Sequence, residues 1–293
     1  MRHHYKNDGR IFATPIINFV MIYHFILMFF NFTDFYRFLM STTAVPALDK
    51  TFQILDLITD SAQPLTAAHI AKELNLPRSS THNILQSLLA KHVIYKDSDS
   101  RFHLGSYLMY WAGKYEQQQG VIQLFKDLIV QYPTLLQHTV TLSKLDFGEV
   151  VFLACHEAPA PLGFTFRAGV RVPAVFSATG KAMLSTFSMD SIKSIYASGF
   201  PTPITQHGVD NFTDLSAELA AIQNSRISLD DGQLREGMYC LGTYIRNASG
   251  NAVAGMAVSF LQAEYESKRA EVSAVLIELA EQIEKRLGFI AHQ

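Results

Sequence analysis

Cysteine and net charge are both scarce in this sequence. Only two cysteines, Cys155 and Cys240, occur in 293 residues, which excludes a disulfide scaffold and is typical of a protein in a reducing cytosol. The formal net charge is -2, so any affinity for a polyanion must come from a local patch. Hydrophobic residues make up 48% of the chain and charged residues 17%, which excludes wholesale disorder and is sufficient for two folded domains.

Motifs for catalysis and metal binding are also missing. The sequence contains no HExxH, P-loop or dinucleotide-binding fingerprint, and its eleven histidines are scattered. The run Cys155-His156-Glu157 suggests thiol catalysis, but neighbouring side chains of a strand point to opposite faces, so Cys155 and His156 would not pair. We therefore expect no catalytic residue, no metal and no cofactor, and a cysteine-dependent enzyme is the least favoured alternative.

Residues 1–39 differ in composition from the rest of the chain. They contain eight of the 21 Phe residues, and residues 11–30 are nearly all apolar. Phe, Ile, Asn, Tyr, Lys and Met are residues that AT-rich DNA encodes, and Met40 is followed by Ser-Thr-Thr. We interpret 1–39 as a hydrophobic leader that arises from a start codon assigned too far upstream. A chain that begins at Met40 is then expected to fold and bind as well as the full chain.

Two alternatives for residues 1–39 stay open. An apolar run of 20 residues is long enough to cross a bilayer, and Arg2, Lys6 and Arg10 would mark its cytoplasmic flank. This alternative predicts a membrane-tethered protein. The segment could instead form a buried or interfacial helix. The preferred interpretation predicts a cytoplasmic protein without a membrane partner.

The segment 45–105 has the pattern of a small helical domain. Its first helix has an apolar stripe that we expect to be buried, formed by Leu48, Phe52, Leu55 and Ile58. Thr66 is a candidate N-cap for a short second helix that ends near Leu74. A turn at Asn75-Leu76 follows, and Pro77 stands where the first position of a helix tolerates proline.

The third helix, 77–91, has a polar face without carboxylates, and no acidic residue occurs from 74 to 95. A helix that enters the major groove needs short polar side chains at its first turn and no negative charge. We therefore predict a helix-turn-helix that contacts DNA through Thr66, Arg78, Ser79, Ser80, His82, Asn83 and Gln86. A three-helix packing unit without DNA is the alternative.

Two short strands, 93–95 and 102–104, follow the third helix and are joined by the turn 97–100. They predict a wing beside the helix-turn-helix. Lys96 and Arg101 flank its tip and could reach backbone phosphates.

The rest of the chain predicts a linker helix and a mixed domain. The helix, 106–120, has a stripe that we interpret as either a core seam or a dimer seam: Tyr107, Leu108, Trp111 and Tyr115. Residues 121–290 combine hairpins at 139–154 and 238–261 with helical patterns at 121–136, 179–187, 189–198, 212–226 and 266–287. Such a mixture predicts an antiparallel α+β domain.

Several motifs, taken in order, resemble the IclR family of bacterial regulators. They occupy residues 65–66, 70–71, 74–80, 102–105, 169–173, 177–182 and 230–237, together with His82, Leu85, Cys240 and the hairpin around Gly250. The resemblance runs from about 45 to 289. It implies a winged helix-turn-helix, a linker helix and a GAF-like antiparallel α/β effector domain, in homodimers or homotetramers on palindromic operators in double-stranded DNA. Asn83 and Tyr244 depart from the family pattern, which has Arg and Pro there.

An effector site is predicted in the C-terminal domain. Residues 177–180 open a helix, so backbone N–H groups there could receive a carboxylate, with an ordinary helix cap as the alternative. The apolar side of the site would be lined by Phe164, Phe166 and Phe176. Gly180 is a candidate effector contact through this helix opening. The resemblance implies further effector contacts at Ala178, Thr179, Asp230, Cys240, Ala257 and Ser259. For Cys240, a small buried side chain is the alternative. The sequence thus predicts a DNA-binding transcriptional regulator, often a repressor in such families, that responds to a small organic or aromatic acid.

Overall fold

A computed structural model of the protein describes residues 45–158 and 166–289. The chain divides into two compact units, one ending at Tyr107 and the other beginning at Leu108. Residues 1–39 and Met40 lie outside the described residues, and so do the interpretations that concern them. In the parts that are described, no helix is both long enough and apolar enough to cross a bilayer.

The N-terminal unit combines short helices with a small antiparallel sheet. Its elements are α1 (Pro46–Asp60), β1 (Leu65–Thr66), α2 (Ala67–Glu73), α3 (Arg78–Ala90), β2 (Ile94–Lys96) and β3 (Arg101–Leu104). Strand β3 lies between β1 and β2, with Leu65 opposite Phe102 and Tyr95 opposite His103. Two helices joined by a short turn and followed by a hairpin form the predicted winged helix-turn-helix.

Local sequence signals set the helix boundaries of this unit. Thr66 caps α2, because its hydroxyl oxygen accepts a hydrogen bond from the His69 backbone N–H at 3.4 Å. Asn75 adopts a left-handed conformation (φ 49°), which lets the chain reverse within a few residues. Pro77 is the N-cap of α3, whereas the sequence analysis placed it at the first position inside the helix.

The predicted core stripe of α1 is wrong for two of its members. Ile54 is the buried residue of this helix, whereas Leu48 and Phe52 are 53% and 62% exposed. The helix packs against β3. Periodicity identified an apolar side of the helix but not the extent of the surface that would bury it.

The C-terminal part of the chain contains most of the secondary structure. Its elements are α4 (Tyr107–Gln118), α5 (Gly120–Ile129), α6 (Pro133–Leu136), β4 (Thr139–Asp146), β5 (Glu149–His156), β6 (Arg171–Pro173), α7 (Ala178–Leu184), α8 (Met189–Ile195), α9 (Phe212–Ser225), β7 (Ser228–Asp231), β8 (Met238–Arg246), β9 (Ala252–Leu261) and α10 (Gln262–Arg286). The sheet has the order β6-β5-β4-β9-β8-β7, with every neighbouring pair antiparallel. The predicted antiparallel α+β domain is confirmed.

Helices cover both faces of this sheet. On one face, α5 and α10 bury their apolar sides against side chains such as Leu142 and Leu241. On the other face, α7 lies directly on the central strands. A Cβ atom added to Gly242 would come within 2.6 Å of the Ala178 backbone, and one added to Gly255 within 2.9 Å of Thr179. Glycine at these two positions therefore permits the close approach of α7 to the sheet.

The side chain of Glu284 links the last helix, α10, to the end of the sheet through hydrogen bonds with two arginines. Its side chain is 2% exposed. The Arg226 guanidinium donates a hydrogen bond to it at 2.5 Å, and Arg246 donates from both its backbone N–H (2.8 Å) and its Nε (3.0 Å). One buried carboxylate thus balances two partly buried guanidinium groups.

Helix α4 has no buried residue. Of the predicted stripe, Tyr107, Trp111 and Tyr115 are 39%, 51% and 42% exposed. Of the two interpretations of its aromatic stripe, the core seam is therefore contradicted, and the dimer seam stays a prediction. The helical pattern at 121–136 is divided into α5 and α6 at Pro133, and the short edge strand β7 had no counterpart among the sequence predictions.

Candidate functional site

The polar face of α3 is open to solvent in the N-terminal unit. Among the predicted contact residues on this helix, Ser80 is half-buried and the others are exposed: Arg78, Ser79, His82, Asn83 and Gln86. The opposite side of α3 carries its buried residues, Thr81, Leu85 and Leu88. Thr66, at the start of α2, is exposed as well. The helix therefore presents donors, acceptors and one guanidinium group to solvent, without a carboxylate.

The wing is organised by one acidic side chain. Asp97 accepts hydrogen bonds from the backbone N–H groups of Asp99 (3.0 Å) and Arg101 (2.8 Å), and its other oxygen lies 2.8 Å from Nε2 of His103. The hydrogen bond with His103 lowers the pKa of Asp97. His103 also stacks on Tyr95, with ring centroids 4.8 Å apart. The turn between Lys96 and Arg101, both exposed, is therefore fixed by its own side chains.

In the C-terminal unit, four polar side chains form a row across neighbouring strands on the sheet face that carries α7. Asp230 of β7 pairs with Cys240 of β8, Cys240 with Ser259 of β9, and Ser259 with Thr139 of β4. All four residues are buried. We call this set the polar row. Sγ of Cys240 and Oγ of Ser259 lie 3.3 Å apart.

An apolar cluster lies beside the polar row and shares Cys240 with it. Its other buried members are Phe152, Phe166, Ala178, Met238 and Ala257. The rings of Phe152 and Phe166 meet edge to face, with centroids 5.5 Å apart. An arrangement of a few polar groups next to apolar and aromatic side chains is typical of sites for small organic molecules.

Asp230 is the most unusual group of the polar row. Its side chain is fully buried. Oδ1 accepts hydrogen bonds from the backbone N–H groups of Gly232, Gln233 and Leu234, whereas Oδ2 has no hydrogen-bond partner within the described structure. Burial raises the pKa of Asp230 to about 6, because loss of solvent outweighs the opposing effects of Lys181 and the backbone donors.

Lys181 of α7 favours the ionised form of Asp230 through its positive charge, and its ammonium group is already paired with a carboxylate. Its side chain is fully buried, and Nζ lies 2.5 Å from Oε2 of Glu218 on α9. The side-chain amide of Gln233 donates to Oε1 of the same glutamate at 3.1 Å. Sequence analysis missed Lys181, Glu218 and Gln233, since charged and amide side chains are normally assigned to the surface.

The predicted effector residues do not all come together. Those that lie in the polar row or the apolar cluster are Phe166, Ala178, Asp230, Cys240, Ala257 and Ser259. Sequence analysis did not select Thr139, Phe152 or Met238, which belong to the same two groups.

Phe176 is fully buried in a different cluster, with Val175, Met183 and Leu184, so it is part of the core rather than a wall beside Asp230. Thr179 faces the sheet at Gly255. The N–H of Gly180 is taken by the Ser177 hydroxyl at 2.9 Å, as in an ordinary helix cap. Phe164 lies outside the described residues.

The cysteines do not have the properties of catalytic thiols. Burial raises the pKa of Cys155 to about 11 and raises that of Cys240 still further above its usual range. A nucleophilic cysteine requires the opposite shift. His156 does not contact the Cys155 thiol as a base; its Nε2 lies 3.1 Å from the Leu136 carbonyl oxygen.

Two family models match this chain and together cover both units. The IclR helix-turn-helix domain matches residues 47–98, and the C-terminal domain of bacterial IclR transcriptional regulators matches residues 113–285. The chain belongs to the IclR family of transcriptional regulators. The exposed face of α3 lies within the match to the helix-turn-helix domain, and the polar row and the apolar cluster lie within the match to the C-terminal domain.

Individual IclR-family relatives agree with this assignment. The transcriptional regulator BhcR of Paracoccus denitrificans is 26% identical over 73% of this chain and 77% of its own length. The crystal structure of the repressor BlcR of Agobacterium tumefaciens is 35% identical, covers 85% of this chain and 100% of that chain, and has a TM-score of 0.56. An IclR homologue of Microbacterium hydrocarbonoxydans, crystallised with 4-hydroxybenzoate, shares the fold at 18% identity, with a TM-score of 0.69 over 82% of this chain and 98% of its own.

Proposed function

We propose that this IclR-family protein binds a palindromic operator in double-stranded DNA as a homodimer or homotetramer, and that a small organic or aromatic acid bound to its C-terminal unit controls the affinity for the operator. The observation that carries the DNA-binding part is the exposed, carboxylate-free face of α3 next to an ordered wing. Polar side chains at the first turn of such a helix suit the base edges and phosphates of the major groove.

The contacts proposed for DNA fall into two groups. His82, Asn83 and Gln86 on α3 would read base edges, since their side chains carry both donors and acceptors. Arg78, Lys96 and Arg101, with the hydroxyl groups of Thr66, Ser79 and Ser80, would hold the phosphate backbone on both sides of the groove.

The effector is proposed to bind between the polar row and the apolar cluster. Hydroxyl groups of Ser259 and Thr139 offer donors for a carboxylate, and Phe152 and Phe166 offer apolar and aromatic surface. The Microbacterium homologue supports the ligand class, because it was crystallised with an aromatic acid in the same fold. Ala178 of α7, a buried member of the apolar cluster, would contact the apolar part of the effector.

Self-association is proposed to involve α4. A helix that buries none of its side chains within its own chain, and that exposes Met109, Tyr110 and Trp111, is suited to contact a second copy. Two copies related by a two-fold axis would place two copies of α3 on the two halves of a palindromic operator.

The DNA-binding proposal is tested by selecting bound genomic fragments with the purified protein and measuring affinity for the recovered sequence by gel shift. Gln86→Ala on α3 is expected to weaken binding by roughly 5- to 100-fold, the effect of losing one base contact. Gln53→Ala, the same change at an exposed position of α1, is the matched control and should leave the affinity unchanged. Equal affinities of the two variants would contradict the assignment of α3 to the groove.

A further inference from the structure

A cavity of about 650 Å³ lies in the C-terminal unit, between helix α4 and the strands β4, β5 and β6. Its volume is within the range that is typical of sites for small organic molecules. Helix α4 contributes two aromatic side chains to the wall, Trp111 and Tyr115, and β5 contributes the aliphatic side chains of Val151 and Leu153. We call this space the α4 cavity.

The α4 cavity and the polar row lie on opposite faces of the sheet. Lys144, which lines the cavity, is two residues from Leu142 on β4, so both side chains point to the face that α5 and α10 cover. Ile122 of α5 lines the cavity as well. The polar row is on the other face, beneath α7. Phe152, a member of the apolar cluster, also lines the α4 cavity, so the two regions are neighbours across β5.

Two cationic side chains of this cavity have hydrogen-bond donors to spare. Lys144 of β4 and Arg171 of β6 lie on either side of Val151 in the strand register, so all three share one face of the sheet. Within the part of the chain that the structure describes, the ammonium group of Lys144 has no hydrogen bond or ion pair. Arg171 donates through Nε to Glu149 (2.8 Å) and through Nη2 to Asp146 (2.6 Å), and its Nη1 has no acceptor among the described residues. Both cations can therefore donate to a bound anion.

The carboxylates that line the cavity are already bound to cations. Glu116 of α4 forms an ion pair with Lys126 of α5, and Asp146 forms one with Arg171. Their negative charges are therefore largely balanced by their own partners. The positive charge of Lys144 has no such partner among the described residues, so it favours an anion over a neutral or cationic molecule.

We propose that the α4 cavity is a second small-molecule site and that it binds an aromatic anion. Trp111 and Tyr115 are four residues apart on α4 and so lie on one side of the helix, where their rings can pack against the rings of the ligand. The acidic group of the ligand would accept hydrogen bonds from Lys144 and from Nη1 of Arg171. This site does not depend on the proposed effector site. Because α4 begins where one unit ends and the other starts along the chain, the ligand would contact the helix that connects them.

The experiment is isothermal titration calorimetry of the full chain with 2-naphthoate and 2-naphthamide, which have the same rings and differ in charge. The anion should bind about 10-fold more tightly, at the low end for a hydrogen bond to a charged group because Lys144 is exposed. Lys144→Met keeps an apolar side chain of similar length and should reduce this preference to a few-fold at most. Lys193→Met is the matched control, because it makes the same change at another exposed lysine, on α8, and it should leave the preference intact. Unfolding midpoints of both variants show whether they fold.

Trp111 shows where the compound binds, because it is the single tryptophan of the sequence. Protein labelled with 5-fluorotryptophan therefore gives one fluorine NMR signal, which comes from the wall of the α4 cavity. This signal should shift as 2-naphthoate is added, over the concentrations at which calorimetry detects binding.

Three results would overturn the proposal, and each leaves the proposed function untouched. Equal affinities for the anion and the amide would refute an anion site. A preference that Lys144→Met retains, or binding that leaves the fluorine signal in place, would show that the compound binds elsewhere, as it would in the proposed effector site. Absence of binding by both compounds would show that the α4 cavity does not take aromatic molecules of this kind.

Discussion

Replacement of Asp230 by Asn should stabilise the protein at neutral pH. A buried carboxyl group whose pKa is raised from 3.8 to about 6 holds its proton more tightly in the folded state than in the unfolded chain. Its favourable contribution is therefore complete below pH 3.8 and is lost as the pH rises through 6. The full loss corresponds to about 2 pKa units, or about 3 kcal/mol, of which about half has developed by pH 5. Asp230→Asn removes this pH-dependent cost and keeps an oxygen for the three backbone donors.

The assay is urea unfolding of the wild-type protein and the variant at pH 5 and pH 7.5. Trp111, the single tryptophan of the chain, lies in the same unit as Asp230 and provides the fluorescence signal. The stability difference between variant and wild type should increase by roughly 1.5 kcal/mol from pH 5 to pH 7.5, whereas Asp231→Asn should show no such increase. A difference that is constant, or that decreases with rising pH, would refute the argument that Asp230 is strained by burial.

Three further predictions concern packing and local order. Glu284→Gln should destabilise the C-terminal unit by about 3–5 kcal/mol, because the guanidinium groups of Arg226 and Arg246 lose their buried counter-charge. Thermal unfolding followed by circular dichroism measures this loss, and a value below about 1 kcal/mol would contradict the prediction. Gly242→Ala should lower the free energy of unfolding by about 1–3 kcal/mol, because its methyl group overlaps the α7 backbone. Unchanged stability in urea unfolding would contradict the close contact between α7 and the sheet at this position. Asp97→Ala should accelerate hydrogen exchange of the backbone amides in the wing turn, while the free energy of unfolding stays within about 0.5 kcal/mol of the wild-type value. Unchanged exchange would mean that other contacts order the turn.

The parts of the fold with strong periodicity were predictable. A hairpin was expected at 238–261, and strands β8 and β9 form it with the same outer bounds. Long alternating runs separated by a turn that contains Asn and Gly define a hairpin almost completely. Strand β7 was missed because four residues at a sheet edge are too few to establish an alternation.

The candidate site was only partly predictable for a related reason. Asp230 and Cys240 were selected through family motifs, whereas Lys181 was not, because no local pattern distinguishes a fully buried lysine from an exposed one. Phe176 was assigned to the site since every aromatic near residue 177 was an equal candidate, and only the packing shows that it belongs to the core. Burial and pairing across strands depend on tertiary contacts that a linear pattern does not contain.

The complete burial of helix α7 limits which substitutions the C-terminal unit can tolerate. All seven of its residues are buried, between the sheet on one side and α9 on the other. A helix of two turns is too short to be stable alone and depends on these neighbours on every side. Substitutions on α7 are therefore expected to disturb the fold of the C-terminal unit. Variants that keep the fold but respond differently to the proposed effector should therefore be found more often outside α7 than on it.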